Sequence, residues 1–597
     1  MTSPLLSAAL DAHLAGRLAD AERSYRAALD EDPGNADALH LLGLVRERGG
    51  DAAEGEALIR RAIAIRDEAV FNMNLATLLL GSGRHAEAEA AYRRSLAIRP
   101  DLRDAAGRLG TMLLTTGRAA EADDVLTEVL RHGTGSVDLL NLLGVARLQI
   151  DDFEGAEWAW REALALAPQA ANIHYNLGNL FTRSRQIDRA EASFRAAIAH
   201  HPEHVDAHYN LGTMLLNEGR LAEARAAFDS TLSLRPDHGD ARFNIGLLQV
   251  EAGETEGAEA SFRGLIAAAP DRADARLALG TMLLRRGDFA EGWPLYEARY
   301  AGGLREAFNV LPDVSYPQWK GEDLAGKSIL LWPEQGYGDA IQFVRYVPEL
   351  KRRGAARVTL GCHGPLARLF AAVEGADAVV TERERLGHHD YWALPLSLPL
   401  HLGTVPGSIP ASLPYLHASD DLKAAWSQRL PDGGLKVGLA WKGAAIHGND
   451  ARRSLPSLSN LEPLWRTSRA DLHFIGLQKG EGEVEARDWA SAGRLIDLGR
   501  DLRDFADTAA VVDQLDLVIT VDTSVAHLAG ALGKPCWVLL PAKGADWRWL
   551  EGRSDSPWYP GTMRLFRQER DGNWSDVVGA IAAALKTFES SATTFAC

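Results

Sequence analysis

Residues 172–202 have the sequence NIHYNLGNLFTRSRQIDRAEASFRAAIAHHP, and residues 206–236 have the sequence DAHYNLGTMLLNEGRLAEARAAFDSTLSLRP. The pattern that they share returns every 34 residues, with one step of 33, across the first half of the chain. A small residue in an apolar stretch marks it at Ala9, Gly43, Ala76, Gly110, Gly144, Gly178, Gly212, Gly246 and Gly280. A fixed period of this length predicts stacked helical repeats rather than several separate cores.

Each repeat has the features of two antiparallel helices. A second small residue follows the first by 12 positions, and a bulky residue follows after four more, as in Gly178, Ala190 and Phe194. Small residues let two helices approach closely, and the bulky residue fills the space against the next pair. Proline ends the second helix because it lacks an N–H and clashes with the preceding turn. It occurs at Pro33, Pro100, Pro168, Pro202, Pro236 and Pro270.

This spacing resembles the tetratricopeptide repeat (TPR), which implies an all-α superhelix with a concave groove over residues 2–300. Two residues before the small position stand Asn74, Asn176, Asn210 and Asn244. In this repeat family that position faces the groove, and the arrangement is similar to the asparagine ladder with which O-GlcNAc transferase holds protein substrates. An asparagine amide can both donate to and accept from a peptide backbone. The alternative interpretation is that these side chains bridge neighbouring helices of the scaffold.

The second half has a different pattern. After Tyr300 and a linker at 301–325, short β-rich segments alternate with helical ones. Strands are predicted at 328–332, 357–362, 436–441, 472–477, 495–498, 517–521 and 536–540, and helices at 339–353, 365–373, 504–515, 524–532 and 574–588. Such alternation predicts parallel sheets with helices on both faces. We expect two α/β halves, at 326–420 and 433–590, with a cleft between them and a final helix that crosses back to the first half.

Ligands of open parallel sheets bind at the carboxyl ends of the strands. The first predicted strand is followed by Pro333-Glu334-Gln335-Gly336-Tyr337-Gly338-Asp339-Ala340, a tight turn that places Asp339 at the start of a helix. Taken alone, this aspartate is equally well explained as a helix cap.

A second turn, Asp522-Thr523-Ser524, joins the strand 517–521 to a helix that carries His527. The free N–H groups and the positive dipole end of a helix form an anion site suited to a phosphate. His527 lies one turn further on, where it could reach the same anion or hold the turn.

Residues 522–529, DTSVAHLA, resemble the D-[TS]-x-x-x-H-L-A segment of the family 9 glycosyltransferases, the heptosyltransferase-like group. That group has a GT-B fold of two Rossmann-like halves, and the turn GYGDAI at 336–341 fits it too. The resemblance covers about residues 325–590, and Ser524 stands where glycine is common in the family. It implies that Asp339 is the general base and that Lys442 lies near the donor phosphates. The predicted donor-phosphate set is Gly338, Asp522, Thr523, Ser524 and His527.

Three further residues are candidates for contact with the nucleotide or sugar. Gln478 and Lys479 follow the predicted strand 472–477, and Arg453 lies in the polar loop 447–454, which is either a cover over the donor or a solvated loop. The aromatic segments 546–549 and 556–560 are assigned to core packing or a hinge in preference to stacking on a sugar or base.

Composition limits the partners. The 64 basic and 81 acidic residues give a net charge of −17, which argues against nucleic-acid binding because that requires a positive field. No apolar run is long enough to span a membrane. The three cysteines, Cys362, Cys536 and Cys597, form neither a disulfide framework nor a metal motif, and His388-His389-Asp390 lacks further ligands at metal spacing. We therefore expect a cytoplasmic protein with no metal and no resident cofactor.

These features predict a protein O-glycosyltransferase that uses a nucleotide-activated sugar and binds a protein acceptor on its repeats. The architecture is also similar to the flagellin glycosyltransferases of some α-proteobacteria, which implies flagellin as acceptor and a CMP-activated nonulosonic acid of the pseudaminic or legionaminic type as donor. Two alternatives stay open. One is a heptosyltransferase-like enzyme acting on a cell-envelope glycan, and the other is a non-catalytic TPR scaffold with a decayed GT-B half.

Overall fold

The computed structural model describes residues 4–133, 135–301, 311–382, 386–445, 448–467 and 469–589. Parts of the predicted linker and His447 of the predicted loop lie outside these residues. The chain divides into two compact units, Met1–Ile245 and Gly246–Cys597. The division falls inside a repeat helix rather than at residue 300, because the last repeats pack with the α/β part of the chain.

The helices of the first half follow one another with short connections, as the 34-residue period predicts. In chain order they are α1 Pro4–Leu14, α2 Leu18–Glu31, α3 Ala36–Arg48, α4 Ala52–Ile65, α5 Ala69–Gly81, α6 His85–Ile98, α7 Arg103–Thr115, α8 Ala119–His132, α9 Val137–Gln149, α10 Phe153–Leu166, α11 Ala171–Arg183, α12 Ile187–His200, α13 Val205–Asn217, α14 Leu221–Leu234, α15 Gly239–Ala252, α16 Thr255–Ala268, α17 Ala273–Arg286 and α18 Phe289–Tyr296.

In two neighbouring repeats, glycine at the small position is required by the phenylalanine 16 positions later. A Cβ atom added to Gly178 would lie 2.5 Å from Cε1 of Phe194, and one added to Gly212 would lie 2.7 Å from Cε1 of Phe228. Both phenylalanine rings are buried, so neither can move aside without disturbing its neighbours. The bulky residue therefore packs on the small residue of its own helix pair, whereas the sequence analysis expected it to pack against the next pair.

The α/β part contains two sheets in which all strand pairs of the described residues are parallel. The strands are β1 Ser328–Leu331, β2 Arg357–Gly361, β3 Ala378–Val380, β4 Tyr391–Ala393, β5 Leu435–Ala440, β6 Leu472–Gly476, β7 Ile496–Asp497, β8 Leu517–Val521, β9 Cys536–Leu540 and β10 Met563–Arg567. The helices are α19 Tyr337–Phe343, α20 Val347–Arg352, α21 Ala367–Phe370, α22 Leu398–His401, α23 Asp420–Ser427, α24 Asp450–Arg453, α25 Glu483–Ser491, α26 Phe505–Val512, α27 Ser524–Ala531 and α28 Trp574–Lys586.

Strand order places a topological switch point in each sheet. The first sheet has the order β3-β2-β1-β4, and the second has the order β10-β9-β8-β5-β6-β7. The chain therefore turns in opposite directions on the two sides of β1, and again between β5 and β8. In open parallel sheets a crevice forms at such a point, outside the carboxyl ends of the strands.

The second sheet is covered on both faces, as expected for a parallel sheet. Ile519 of β8 packs in one apolar cluster with Val578 of α28, whereas the adjacent Val518 packs in another with Ala529 of α27. The prediction that the final helix crosses back to the first half is wrong for the described residues. The apolar face of α28 is instead buried against its own sheet.

Two other details differ from the predictions. The helix predicted at 339–353 is divided into α19 and α20, because Pro348 cannot continue the hydrogen-bond ladder from the preceding turn. Strands β3 and β10 were not among the predicted strands. Strand β3 has only three residues, which is too short to show a period-2 pattern.

The packing of Gly178 gives a first prediction. Gly178→Ala should lower the free energy of unfolding by about 1–3 kcal/mol, because the added methyl group overpacks the helix pair. The control is Gly107→Ala in α7, where a Cβ atom meets nothing closer than 3.7 Å. That variant should gain up to about 1 kcal/mol from helix propensity. Thermal unfolding of both variants makes the comparison, and equal effects would contradict the packing explanation.

Candidate functional site

The turns that follow β1 and β8 lie against each other. A Cβ atom added to Gly338, in the first turn of α19, would lie 2.8 Å from Cδ2 of His527 and 3.6 Å from Cα of Ser524. Helices α19 and α27 thus meet at their N-terminal ends, at the switch points of the two sheets. The structure thus brings together four of the predicted site residues, Gly338, Asp339, Ser524 and His527.

Asp339 is held on both carboxylate oxygens. Oδ2 accepts a 2.8 Å hydrogen bond from the backbone N–H of Gly336, so the residue does cap its own helix. Oδ1 accepts a hydrogen bond from Nη2 of Arg548, which belongs to the other half. Burial raises the pKa of Asp339, and the guanidinium of Arg548 opposes that shift.

Arg548 is a charged residue that the sequence analysis missed as part of the site. It lies in the 3₁₀ turn Trp547–Trp549 and is 5% exposed. Its Nη1 donates to both oxygens of Asp546 at 2.8 Å, and its guanidinium carbon lies 4.4 Å from the centre of the Trp547 ring. In the sequence Asp546-Trp547-Arg548-Trp549, the arginine stands between two tryptophans. A charged residue inside an aromatic segment is the signal that could have identified Arg548 as part of the site.

His527 fixes the turn at the start of α27. Its Nδ1 lies 2.9 Å from the hydroxyl of Tyr559, and its ring stacks on Trp549 with centroids 5.2 Å apart. Burial, followed by the charge of Arg548, lowers the pKa of His527 to about 3. The ring is therefore neutral at physiological pH and supplies no positive charge to an anion.

At the start of α27, one backbone N–H group is capped by a side chain and two are not. Thr523 caps the helix, and its hydroxyl accepts a 3.3 Å hydrogen bond from the N–H of Val525. The N–H groups of Thr523 and Ser524 donate to no described residue. Two backbone donors at the positive end of this helix are thus available to an anion.

Asp522 directly precedes these two residues in the chain, and only 8% of its surface is exposed. Burial and then the carboxylate of Asp546 raise its pKa, whereas Arg453 and Arg548 oppose the rise. An ionised carboxylate repels phosphate, so Asp522 suits a hydroxyl of the ligand better than its phosphate.

The other predicted contacts lie at the carboxyl ends of β5 and β6. Nζ of Lys442 is 3.2 Å from Oε1 of Glu485. The side chain of Gln478 accepts from the N–H groups of Trp441 and Lys442, at 3.0 and 2.9 Å, and ties the two strand ends together. Lys479 donates to the carbonyl of Leu502 at 2.6 Å. Each of these three side chains is thus already engaged within the second half.

Arg453 lies over Gly443. A Cβ atom at that glycine would stand 2.5 Å from Oδ1 of Asp450 and 2.7 Å from Nη2 of Arg453, so both side chains lie close to the backbone that follows β5. Arg453 is 3.3 Å from Asp450 of the same helical turn, and its charge acts on Asp522. The structure therefore places Arg453 near the start of α27.

The predicted role of the aromatic segments in packing is supported. Trp547, Trp549, Trp558 and Tyr559 are all buried. Trp293 of α18 meets Trp547 edge to face at 5.2 Å, so the last repeat shares this core with both halves. A buried ion pair between Arg299 and Glu334, at 3.3 Å, ties the same repeat to the turn after β1.

Three of the four ladder asparagines have neighbours in the preceding repeat. Nδ2 of Asn74 lies 2.9 Å from Nε2 of His40, Nδ2 of Asn176 donates to Asn141 at 2.8 Å, and Nδ2 of Asn210 donates to Asn179 at 2.8 Å. Asn244 is half-buried in α15. The amide groups bridge repeats, while the side-chain oxygens of Asn176 and Asn210 accept from no described residue.

The described residues contain no group of three or more histidine, cysteine, aspartate or glutamate side chains able to hold a metal ion. In the same ranges, no helix has the length and apolar character needed to cross a bilayer. His389 instead bonds Thr359 at 2.8 Å, and Asp390 accepts from the backbone N–H of Ser328 at 2.8 Å.

Family models for the tetratricopeptide repeat match the first half of the chain. One matches residues 6–70, 73–137 and 175–241, a second matches 215–279, and a third matches 273–292. The first half therefore carries tetratricopeptide repeats, as the spacing predicted.

The curated protein FlbA of Caulobacter vibrioides is 30% identical to this chain over 338 residues. The alignment covers 52% of this chain and 54% of FlbA, so the chain spans about half the length of this relative.

Solved structures similar to the chain include YrrB, described as a TPR protein with an unusual peptide-binding site, at 23% identity and a TM-score of 0.28. That alignment covers 33% of this chain and 97% of YrrB. MamA is similar at 23% identity and a TM-score of 0.27, over 28% of this chain and 97% of MamA.

The neutral state of His527 gives a second prediction. Because its pKa of about 3 lies below the ordinary 6.5, the neutral ring contributes stability above pH 6.5 that is lost as the pH falls. From pH 7.5 to 5 this loss amounts to about 2 kcal/mol. In thermal unfolding, the advantage of the native chain over His527→Gln should shrink by that amount.

The control for this experiment is Tyr559→Phe, which removes the hydroxyl beside His527 and leaves the imidazole of His527 in place. It should cost about 1 kcal/mol for one hydrogen bond at both pH values. A difference between the native chain and His527→Gln that stays constant from pH 7.5 to 5 would show that the ring is not held neutral.

Proposed function

We propose that this protein is a nucleotide-sugar-dependent glycosyltransferase that modifies a protein bound to its repeats. The observation that carries the proposal is the meeting of α19 and α27 at the switch points of two parallel sheets. There the half-buried carboxylate of Asp339 lies close to two unused backbone donors at a helix start. A base next to an anion site is the minimum that transfer from a nucleotide-sugar requires.

In this proposal Asp339 removes the proton from an acceptor hydroxyl. Each of its oxygens accepts one hydrogen bond and keeps a second lone pair, so the carboxylate can still take a proton. The N–H groups of Thr523 and Ser524 would hold the donor phosphate and stabilise the charge that develops as it leaves. Lys442 would join them by exchanging Glu485 for the phosphate.

The donor site needs no metal in this mechanism, because the helix start and a lysine supply the charge stabilisation. The resemblance to flagellin glycosyltransferases supports a CMP-activated nonulosonic acid as the first donor to test and flagellin as the first acceptor. In this proposal the transfer takes place in the cytoplasm, before the acceptor is exported.

The repeats would hold the acceptor through its backbone. Because the amide N–H groups of Asn176 and Asn210 bond within the scaffold, their side-chain oxygens are what a peptide would meet. These oxygens accept hydrogen bonds from backbone N–H groups, which every sequence except proline provides. Such a groove would recognise an extended segment without reading its side chains.

A third prediction tests the base. Co-expression with flagellin should add the mass of one or more sugars to it, and Asp339→Asn should lower the transfer rate by about 10²–10⁴-fold. Protection against heat by CMP- or other nucleotide-sugars should persist in this variant. Intact mass spectrometry and melting curves make the two measurements.

The matched control is Asp390→Asn, an aspartate of the same half that bonds Ser328 and lies outside the proposed site. This variant should transfer at the native rate. Flat melting curves across CMP-, UDP-, GDP- and ADP-sugars, together with unmodified flagellin, would instead favour the non-catalytic scaffold.

A fourth prediction tests the ladder. Replacing Asn176, Asn210 and Asn244 together with alanine should weaken acceptor binding by about tenfold or more, at roughly 0.5–1.5 kcal/mol for each lost hydrogen bond. Hydrolysis of the donor should be unchanged. Asn72→Ala is the control, because this buried asparagine bonds Asp67 and lies outside the ladder. Equal loss of binding in both proteins would assign the effect to a destabilised array.

A further inference from the structure

The ion pair between Asp339 and Arg548 joins residues that are 209 positions apart. It is the charged contact that links the turn after β1 to the turn after β9. Because Nη1 of Arg548 donates to both oxygens of Asp546, the plane of the guanidinium is fixed, and so are the directions of the two Nη2 N–H groups. The guanidinium therefore fixes where the carboxylate of Asp339 stands.

Both turns contain backbone that is unfavourable for an ordinary side chain. Among the described residues, four non-glycine residues have a positive φ, and Gln335 at 54° and Leu550 at 47° are two of them. Gln335 lies four residues before Asp339, and Leu550 lies two residues after Arg548. Conformations of this kind cost roughly 1–3 kcal/mol each and persist only where the surrounding contacts enforce them. Two of the four strained residues thus lie within four positions of a member of the pair.

The charges around Asp339 would favour its neutral form if Arg548 were absent. Burial raises the pKa of Asp339, the carboxylate of Asp546 raises it further, and Arg548 acts in the opposite direction. His527 is neutral and Tyr296, whose pKa burial raises, is neutral too, so neither offsets the negative charges. Among the described residues, the titratable groups that face the Asp339–Arg548 pair are Asp546, which caps the 3₁₀ turn, Asp522 and His527 beside the start of α27, Tyr296 of α18, and Tyr559.

We propose that Arg548 is a positioning residue for Asp339, which it fixes between the two halves and keeps negatively charged at neutral pH. The inference rests on the proposed function, in which Asp339 must be ionised to accept a proton. Arg548 itself does not contact the acceptor hydroxyl in this scheme. It acts through the carboxylate, and through Asp546, which holds it in place.

The first test needs no substrate. A double-mutant cycle compares the melting temperatures of the native chain, Arg548→Gln, Asp339→Asn and the double variant at pH 5 and pH 8.5. In Arg548→Gln, the half-buried Asp339 has to ionise without its partner as the pH rises. The coupling between the two positions should therefore increase with pH, and the contribution of Asp546 cancels in the cycle. A coupling that is equal at the two pH values would overturn the proposal.

Arg548→Lys keeps the positive charge and loses the planar fork. Its cycle with Asp339→Asn should therefore show a coupling that changes little between pH 5 and pH 8.5. If Arg548→Gln does not fold, the same cycle is measured with Arg548→Met, which also removes the charge and keeps a long side chain. A coupling in that cycle that is independent of pH would overturn the proposal.

The second test uses the transfer reaction described above. In Arg548→Gln, the acidic limb of the pH–rate profile should move up by about one unit, which is tenfold in rate on that limb. In Arg548→Lys it should stay near its native position. A limb that does not move in Arg548→Gln overturns the role of Arg548 and leaves the proposed function intact. Absence of transfer by the native chain overturns the proposed function, and the melting cycle then decides the role of Arg548 alone.

Discussion

The contact between the His527 ring and the backbone of Gly338 is the constraint on which the candidate site depends. It requires a glycine, because a Cβ atom at position 338 would lie 2.8 Å from the imidazole. It also requires an uncharged ring, because an imidazolium would be buried next to Arg548. When both conditions hold, the start of α19 comes against the start of α27. Asp339 and the free N–H groups of Thr523 and Ser524 are then close enough to act on one ligand.

The last repeat belongs to the same construction. Trp293 packs edge to face on Trp547, next to Arg548, and its indole N–H donates to the carbonyl of Thr404 at 3.1 Å. Arg299 pairs with Glu334 in a setting where both are almost fully buried. Removing one partner of a buried ion pair costs several kcal/mol, so this repeat and the turn after β1 are held as one body. The final repeat is thus packed into the α/β unit and is not a flexible connector to it.

Patterns of neighbouring residues predicted the helices and most of the strands. Contacts between residues that are far apart in the chain could not be predicted in this way. The period of 34 residues found the helix pairs because each Gly–Phe contact, such as Gly178 with Phe194, repeats at fixed spacing. Strand β8 was predicted with its observed bounds, since a buried apolar run followed by a capping Thr523 leaves little choice. The pairing of Asp339 with Arg548 leaves no such trace, because it depends on how two sheets meet. For His527 the sequence left two roles open, and only the position of Tyr559 shows that the ring holds the turn.

Charge at the site limits how a nucleotide-sugar could be held there. Asp339, Asp522 and Asp546 face Arg548 and Arg453, and His527 adds nothing because it is neutral. An anionic donor therefore cannot rely on a surplus of positive side chains. In the proposed function it would use the dipole and the two amide donors of α27, together with a lysine that would first have to leave Glu485. Because amides at a helix start are fixed before the ligand arrives, they stabilise a departing phosphate without reorganising. The chain carries a net charge of −17. A pre-aligned helix start can bind an anion without a surface that is rich in basic residues.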